Sequence, residues 1–164
     1  KVLPNRITEH TEHTGKSTGA ASVVNQEATT MSSSPNRLLA SIFGAVYLLV
    51  GLLGFTVTAG VGMFDTSGGL LLGLFEVNIF HNVAHLLIGA ALLLAGLSSV
   101  TAARTTNTTI GAFYLILGIA GLFLVGSAFN ILAINAADNV LHFGSAAVLL
   151  AVGLGTEKVT RARA

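Results

Sequence analysis

Beyond residue 37 the chain runs in four long apolar stretches, 38–59, 77–100, 109–132 and 139–156, parted by shorter segments that hold most of the polar residues. A helix rises about 1.5 Å per residue and must cross about 30 Å of hydrocarbon, so a span needs about 20 residues. Three stretches reach that length and the fourth falls slightly short. No period-two alternation runs through them, which sets aside a β-barrel. The pattern predicts an all-α fold, a bundle of four transmembrane helices.

Polar residues interrupt the apolar pattern in an ordered way. At about 100° per residue, Asn78, His81, Asn82, His85, Gly89 and Gly96 share one arc of the second helix, and its opposite face is Ile, Phe, Val, Leu and Ala. Asn135, Asp138, Asn139, His142 and Gly153 share one side of the fourth. Exposing imidazole or amide to lipid is costly, so both stripes are expected to face the bundle interior or a wet cavity.

The pattern also repeats. "GAVYLLVGLLG" in the first helix matches "GAFYLILGIAG" in the third, pairing Gly44, Tyr47, Gly51 and Gly54 with Gly111, Tyr114, Gly118 and Gly121. These small-residue stripes are expected to pack helices closely. "NIFHNVAH" likewise matches "NAADNVLH", so Asn82 pairs with Asn139, His85 with His142, and His81 gives way to Asp138. The expected architecture is two parallel helical-hairpin repeats related by an axis along the membrane normal. The second and fourth helices then lie on a diagonal and bring their polar groups to matched depth.

Charge orients the bundle. Arg37 precedes the first helix, Arg104 lies between the second and third, and Lys158, Arg161 and Arg163 follow the fourth, whereas segments 60–76 and 133–138 hold no Lys or Arg. By the positive-inside rule both termini are cytoplasmic, in a cell (inner or plasma) membrane, and the polar cluster lies in the outer leaflet. Segment 60–76 mixes Gly with an apolar run too short to span and is expected to lie in the interface, or to dip back as a lid over the histidines. Val57 and Ala59 stand at cleavage-like spacing, but the first apolar stretch exceeds the about 7–15 residues of a signal-peptide core, so it is read as an anchor.

Composition agrees with this picture. Hydrophobic residues make up 52% of the chain and charged residues 9%, against about 25% charged in soluble domains; the mean hydropathy is +0.79. With no cysteine, disulfides and thiolate metal sites are excluded, and a formal net charge of +1 offers no case for nucleic acid. Residues 1–34 are polar and are expected to form a disordered tail, in which Met31 is a candidate translation start and His10 and His13 carry no assigned role. Residues 158–164 form a basic cytoplasmic tail.

The polar core admits several chemistries. His81 and His85, spaced i, i+4, with His142 and Asp138 from the diagonal helix, are the candidate metal donors. His85 and His142 are the candidate axial pair for a haem, although the glycine stripes leave little room for a macrocycle. The alternative to a transition metal or haem is no cofactor at all, with Asn78, Asn82, Asn135, Asn139 and the histidines bonding across helices and fixing the register of the hairpins. Asp138 and Asn139 are placed to cap the fourth helix, and Glu76 lies off the polar arc. "HNVAH" has zinc-protease spacing but carries Asn82 where the general base must be, and no phosphate loop or nucleophile elbow is present, so an enzyme is not expected.

"LFEVNIFHNVAHLLIGAALLLAGL", with the later "DNVLHFGSAAVLLAVGL", resembles a bacterial family of small four-helix membrane proteins classed as a domain of unknown function. The likeness covers residues 37–156 and rests most on His81, Asn82, His85, Leu86 and Gly89. It implies the fold and the membrane location, and no activity. The expected function is therefore a non-enzymatic multi-pass membrane protein, a structural or accessory subunit whose partners are the bilayer and other membrane proteins. A metal- or haem-binding redox protein is the first alternative, and a proton or small-solute permease the second.

Overall fold

A computed structural model describes residues 19–26, 34–155 and 157. The chain divides into two units, 1–33 and 34–164. Of the first, residues 19–26 are helical, while Met31, His10 and His13 lie outside the described residues, as does most of the expected tail. The basic residues 158–164 also lie outside them.

The second unit is a four-helix bundle: α1 (Pro35–Gly54), α2 (Ile79–Ser98), α3 (Val100–Leu124) and α4 (Ala136–Leu154), with a β-hairpin of β1 (Gly69–Leu71) and β2 (Phe75–Val77) between α1 and α2. All four helices are long and apolar enough to cross a membrane. Their outer surfaces carry Leu52, Leu87, Leu94, Ile116, Phe123 and Val140, each well exposed, while Asn, His and Gly lie inside. A greasy exterior around a polar, small-residue interior is the pattern of a multi-pass membrane protein.

Local chemistry moves the helix limits from those expected. Ser34 caps α1, its Oγ accepting from the Arg37 amide at 3.2 Å with Pro35 following, which combines a side-chain cap with a residue whose missing N–H costs nothing there. Ser99 alone joins α2 to α3: its amide donates to the Ala95 carbonyl and its Oγ accepts from the Ala102 amide at 3.1 Å. Residues 100–108, including Arg104, are thus the start of a helix and not a loop. That run is helical because Ala103 and Asn107 are fully buried and Asn107 Nδ2 donates to the Asn36 carbonyl at 3.0 Å. The cap of α4 is Asn135, in a capping box with Asp138, and Asn139 takes no part in it. Asn78 caps α2 in the same way, with Oδ1 accepting from the His81 amide at 2.8 Å.

Segment 60–76 is also more ordered than a simple interfacial loop. β1 and β2 pair antiparallel, Gly69 with Val77 and Leu71 with Phe75, and the turn passes through Leu72 and Gly73 at positive φ. A Cβ on Gly69 would lie 1.9 Å from the Val57 carbonyl oxygen, so only glycine lets β1 cross the chain leaving α1.

The helices pack as two close pairs, α1 with α2 and α3 with α4, and α1 also meets α3 across the bundle. Contact between α1 and α4 is looser than between α2 and α3. Matching contacts recur in the two pairs. A Cβ on Gly54 would fall 1.9 Å from Asn82 Oδ1, and one on Gly121 2.2 Å from Asn139 Oδ1. Gly44 sits against the Leu93 backbone and Gly111 against Leu149 and Leu150. One end of the bundle holds the β-hairpin; the other holds Arg37 and Arg104. Nearer the arginine end an apolar core of Ala40, Leu92, Ala103, Ala146 and Leu149 fills the interior.

Candidate ligand-binding site

At the β-hairpin end, the caps of α2 and α4 set the first turns that carry the polar side chains. His81 and His85 follow Asn78 on α2, one turn apart, with ring centroids 4.5 Å from each other. His142 arrives from α4, 6.3 Å from His81. His85 and His142 each stack on a tyrosine of their own helix pair: His85 on Tyr47 at 5.5 Å and 9°, His142 on Tyr114 at 5.4 Å and 29°. Tyr47 and Tyr114 stack on each other at 5.6 Å, so the chain of rings from His85 to His142 runs through both tyrosines. The two tyrosines, expected as part of the packing stripes, are the centre of this stack.

A cavity of about 290 Å³ lies against these rings. Tyr47 and Val46 of α1, Leu141 and Ser145 of α4, and Leu72 and Phe75 of the hairpin bound it, and His81, His85, His142 and Asp138 face it. Ile42, Val46 and Leu141 at its edge are half exposed, so it opens sideways, between α1 and α4, where lipid would lie. A smaller space of about 100 Å³ lies on the other side of His81, His85, Tyr114 and His142, towards α2 and α3. These four residues therefore form a polar wall between two apolar spaces.

Hydrogen bonds separate the residues that hold the bundle together from those that do not. Tyr47 Oη donates to Ser145 Oγ at 2.8 Å, joining α1 to α4. Asn107 Nδ2 joins α3 to α1 through Asn36. Asn78 Nδ2 donates at 2.8 Å to the carbonyls of Asp65 and Ile131. Asp138 Oδ2 accepts from the amides of Glu76 and Asn135, at 3.1 and 2.9 Å, and Asn135 Nδ2 donates to the Leu74 carbonyl at 2.8 Å, which together fasten the hairpin over the cavity. Glu76 stays within its own turn, with Oε1 accepting from the Gly68 amide.

His85 and His142 stand apart from this network, whereas His81 also bonds to the backbone of Glu76 and Leu132. Nδ1 of His81, His85 and His142 is buried without a hydrogen-bond partner, as is the Tyr114 hydroxyl. The Oδ1 atoms of Asn82 and Asn139 also lack partners, resting on Gly54 and Gly121, while Asn82 Nδ2 donates to Thr58 Oγ1 at 3.3 Å. Gly51 packs against Leu86 and Gly118 against the Phe143 ring, as packing positions. Among the described residues no three His, Asp or Glu side chains come together as a metal-ion site.

Sequence reading alone does not find Ser145, Asn36, Asn107 and Thr58, which make the cross-links just described. Ser145 lies three residues beyond His142 on the same helix face, and that spacing was the available signal. Asn107 sits in "TTNTT", whose polarity reads as a loop.

No curated protein and no solved structure matches this chain. A family model does match, over residues 37–155, which takes in every element of the bundle from near the start of α1 to the end of α4. The chain belongs to the family described as Domain of unknown function (DUF4383).

Proposed function

We propose that the chain is a non-catalytic accessory protein of a bacterial inner membrane that takes an uncharged amphiphile from the lipid phase into the cavity beside His81, His85 and His142. The observation that carries this reading is a set of three buried imidazoles, each with an Nδ1 that has no hydrogen-bond partner, in the wall of a space that opens towards lipid. A buried polar group without a partner costs about 1–3 kcal/mol. The cross-helix side-chain bonds are made by other residues, which supports a role for His85 and His142 in holding something that enters.

The lining contains no Lys or Arg and one carboxylate, Asp138, which favours an uncharged head group over a phosphate or a fatty acid. The stacking of Tyr47 and Tyr114 between His85 and His142 favours a molecular ligand over a haem. The packed core of Ala40, Leu92 and Leu149 favours a dead-end chamber over a permeation path. In this reading the two helix pairs are parallel repeats, the arginine end and both termini are cytoplasmic, and the cavity lies in the outer leaflet.

The test is mass spectrometry of an organic extract of the protein purified in mild detergent, beside a Val46→Phe variant that fills the mouth of the cavity. A neutral amphiphile near one per chain in the parent and depleted in the variant is expected. Identical extracts would leave only annular lipid and remove the reading.

A further inference from the structure

We infer that the head group suited to this cavity is a flat ring with oxygens at opposite ends, the form of a lipophilic quinone or its quinol. The inference rests on the cavity reading above and names the chemical class of its ligand.

Three features of the wall carry it. First, the free imidazoles come as a matched set: His85 and His142 follow equivalent caps on α2 and α4, and each is stacked on the tyrosine of its own helix pair. Two equivalent hydrogen-bonding groups suit a ligand with two equivalent oxygens, whereas a long-chain alcohol satisfies only one. Second, a neutral imidazole has one N–H and one bare nitrogen, and either nitrogen can carry the proton. It donates to a quinone carbonyl or accepts from a quinol hydroxyl, so both forms are held without burying a charge.

Third, size and surface agree. At about 290 Å³ the cavity lies at the lower end of the usual range for ligand pockets, about 300 to 1,000 Å³, and has room for a flat ring head group. Phe43, Phe75 and Tyr47 line it with aromatic surface, which accepts a flat ring in offset or edge-on contact. An apolar tail leaves through the opening at Ile42, Val46 and Leu141.

The chain supplies its own probe. It has two tyrosines and no tryptophan, and both tyrosines belong to this wall, so its intrinsic fluorescence arises beside the site. The experiment titrates decyl-benzoquinone into the full chain in lipid nanodiscs, and a long-chain bromo-alcohol in parallel, reading tyrosine quenching. Quenching by the quinone should saturate, with Kd raised about tenfold in the His85→Leu, His142→Leu double variant, as expected for loss of hydrogen bonds at both ends of the ring. Val46→Phe should reduce quenching by both probes, and it tests the same point if the double variant does not fold.

Quinone quenching that rises linearly, or saturates with an unchanged Kd in the folded double variant, overturns the inference. If the bromo-alcohol alone saturates and loses binding in Val46→Phe, the quinone class falls and the cavity reading stands. If neither probe saturates, both fall.

Discussion

Arg37 Nε donates to the Gly96 carbonyl at 2.9 Å, and Arg104 Nε donates to the Gly153 carbonyl at the same distance. Each arginine, near the start of one helix, closes the C-terminus of the helix it pairs with. Carbonyls there have no partner within the helix and sit at the negative end of its dipole, so a guanidinium satisfies both needs. Arg37 also reaches the Leu97 carbonyl at 3.1 Å. Arg37→Ala and Arg104→Ala should each destabilise the bundle by about 1–2 kcal/mol, with Arg37→Ala the larger. Unfolding in mixed detergent micelles, followed by circular dichroism, measures both.

The histidines should behave in the opposite way. Because Nδ1 of His85 and His142 has no partner, replacing either ring by Leu removes an unsatisfied group along with a ring stack. The first change stabilises by about 1–3 kcal/mol and the second costs about 0.5–1.5 kcal/mol, so the net effect should be near zero or stabilising. A structural histidine would instead lose stability. Unfolding midpoints of His85→Leu and His142→Leu, set beside Asn78→Ala, separate the two roles, because Asn78 makes three hydrogen bonds and its loss should be plainly destabilising.

How much of this is legible in the sequence varies with the kind of feature. The four spans are read directly from length and hydropathy, and the i, i+4 spacing of His81 and His85 with its echo at His142 places the polar groups together. The start of α3 is not legible, because "VTAARTTNT" is polar and β-branched and reads as a loop until Ala103 and Asn107 are seen buried. The hairpin of β1 and β2 is hidden because three-residue strands leave no period to detect. Matching Arg37 with Arg104 needed only the glycine alignment carried back seven residues, two helical turns, and that signal was present. The pairing of His85 with Tyr47 depends on side-chain rotamers, which spacing does not encode.

Glycines in the helices fall into two kinds that substitution should separate. A Cβ on Gly44 would lie 2.5 Å from the Leu93 amide nitrogen, backbone that cannot move without parting α1 from α2, whereas Gly144 in α4 has nothing within 4 Å. Gly44→Ala should cost at least about 1–3 kcal/mol, as overpacking does. Gly144→Ala should stabilise by up to about 1 kcal/mol through helix propensity. Gly54→Ala lies between, since it meets the end of the Asn82 side chain; Asn82→Ser in the same chain should recover much of its loss. A double-mutant cycle on unfolding free energy checks that coupling.

Asp138 decides whether the roof of the cavity stays shut. One oxygen, Oδ2, accepts from the Asn135 amide, completing the cap of α4, and from the Glu76 amide, holding β2 down. Helix start and hairpin are therefore tied through a single atom. Asp138→Ala should lose about 1–3 kcal/mol, and Asp138→Asn less, because its remaining carbonyl oxygen still accepts. The effect should also be local: amide exchange at Glu76 and Val77 should quicken in Asp138→Ala while Leu92 and Leu149, fully buried in the core, stay protected. Uniform loss of protection across the bundle would mean instead that the carboxylate supports the whole fold and that the hairpin does not open separately.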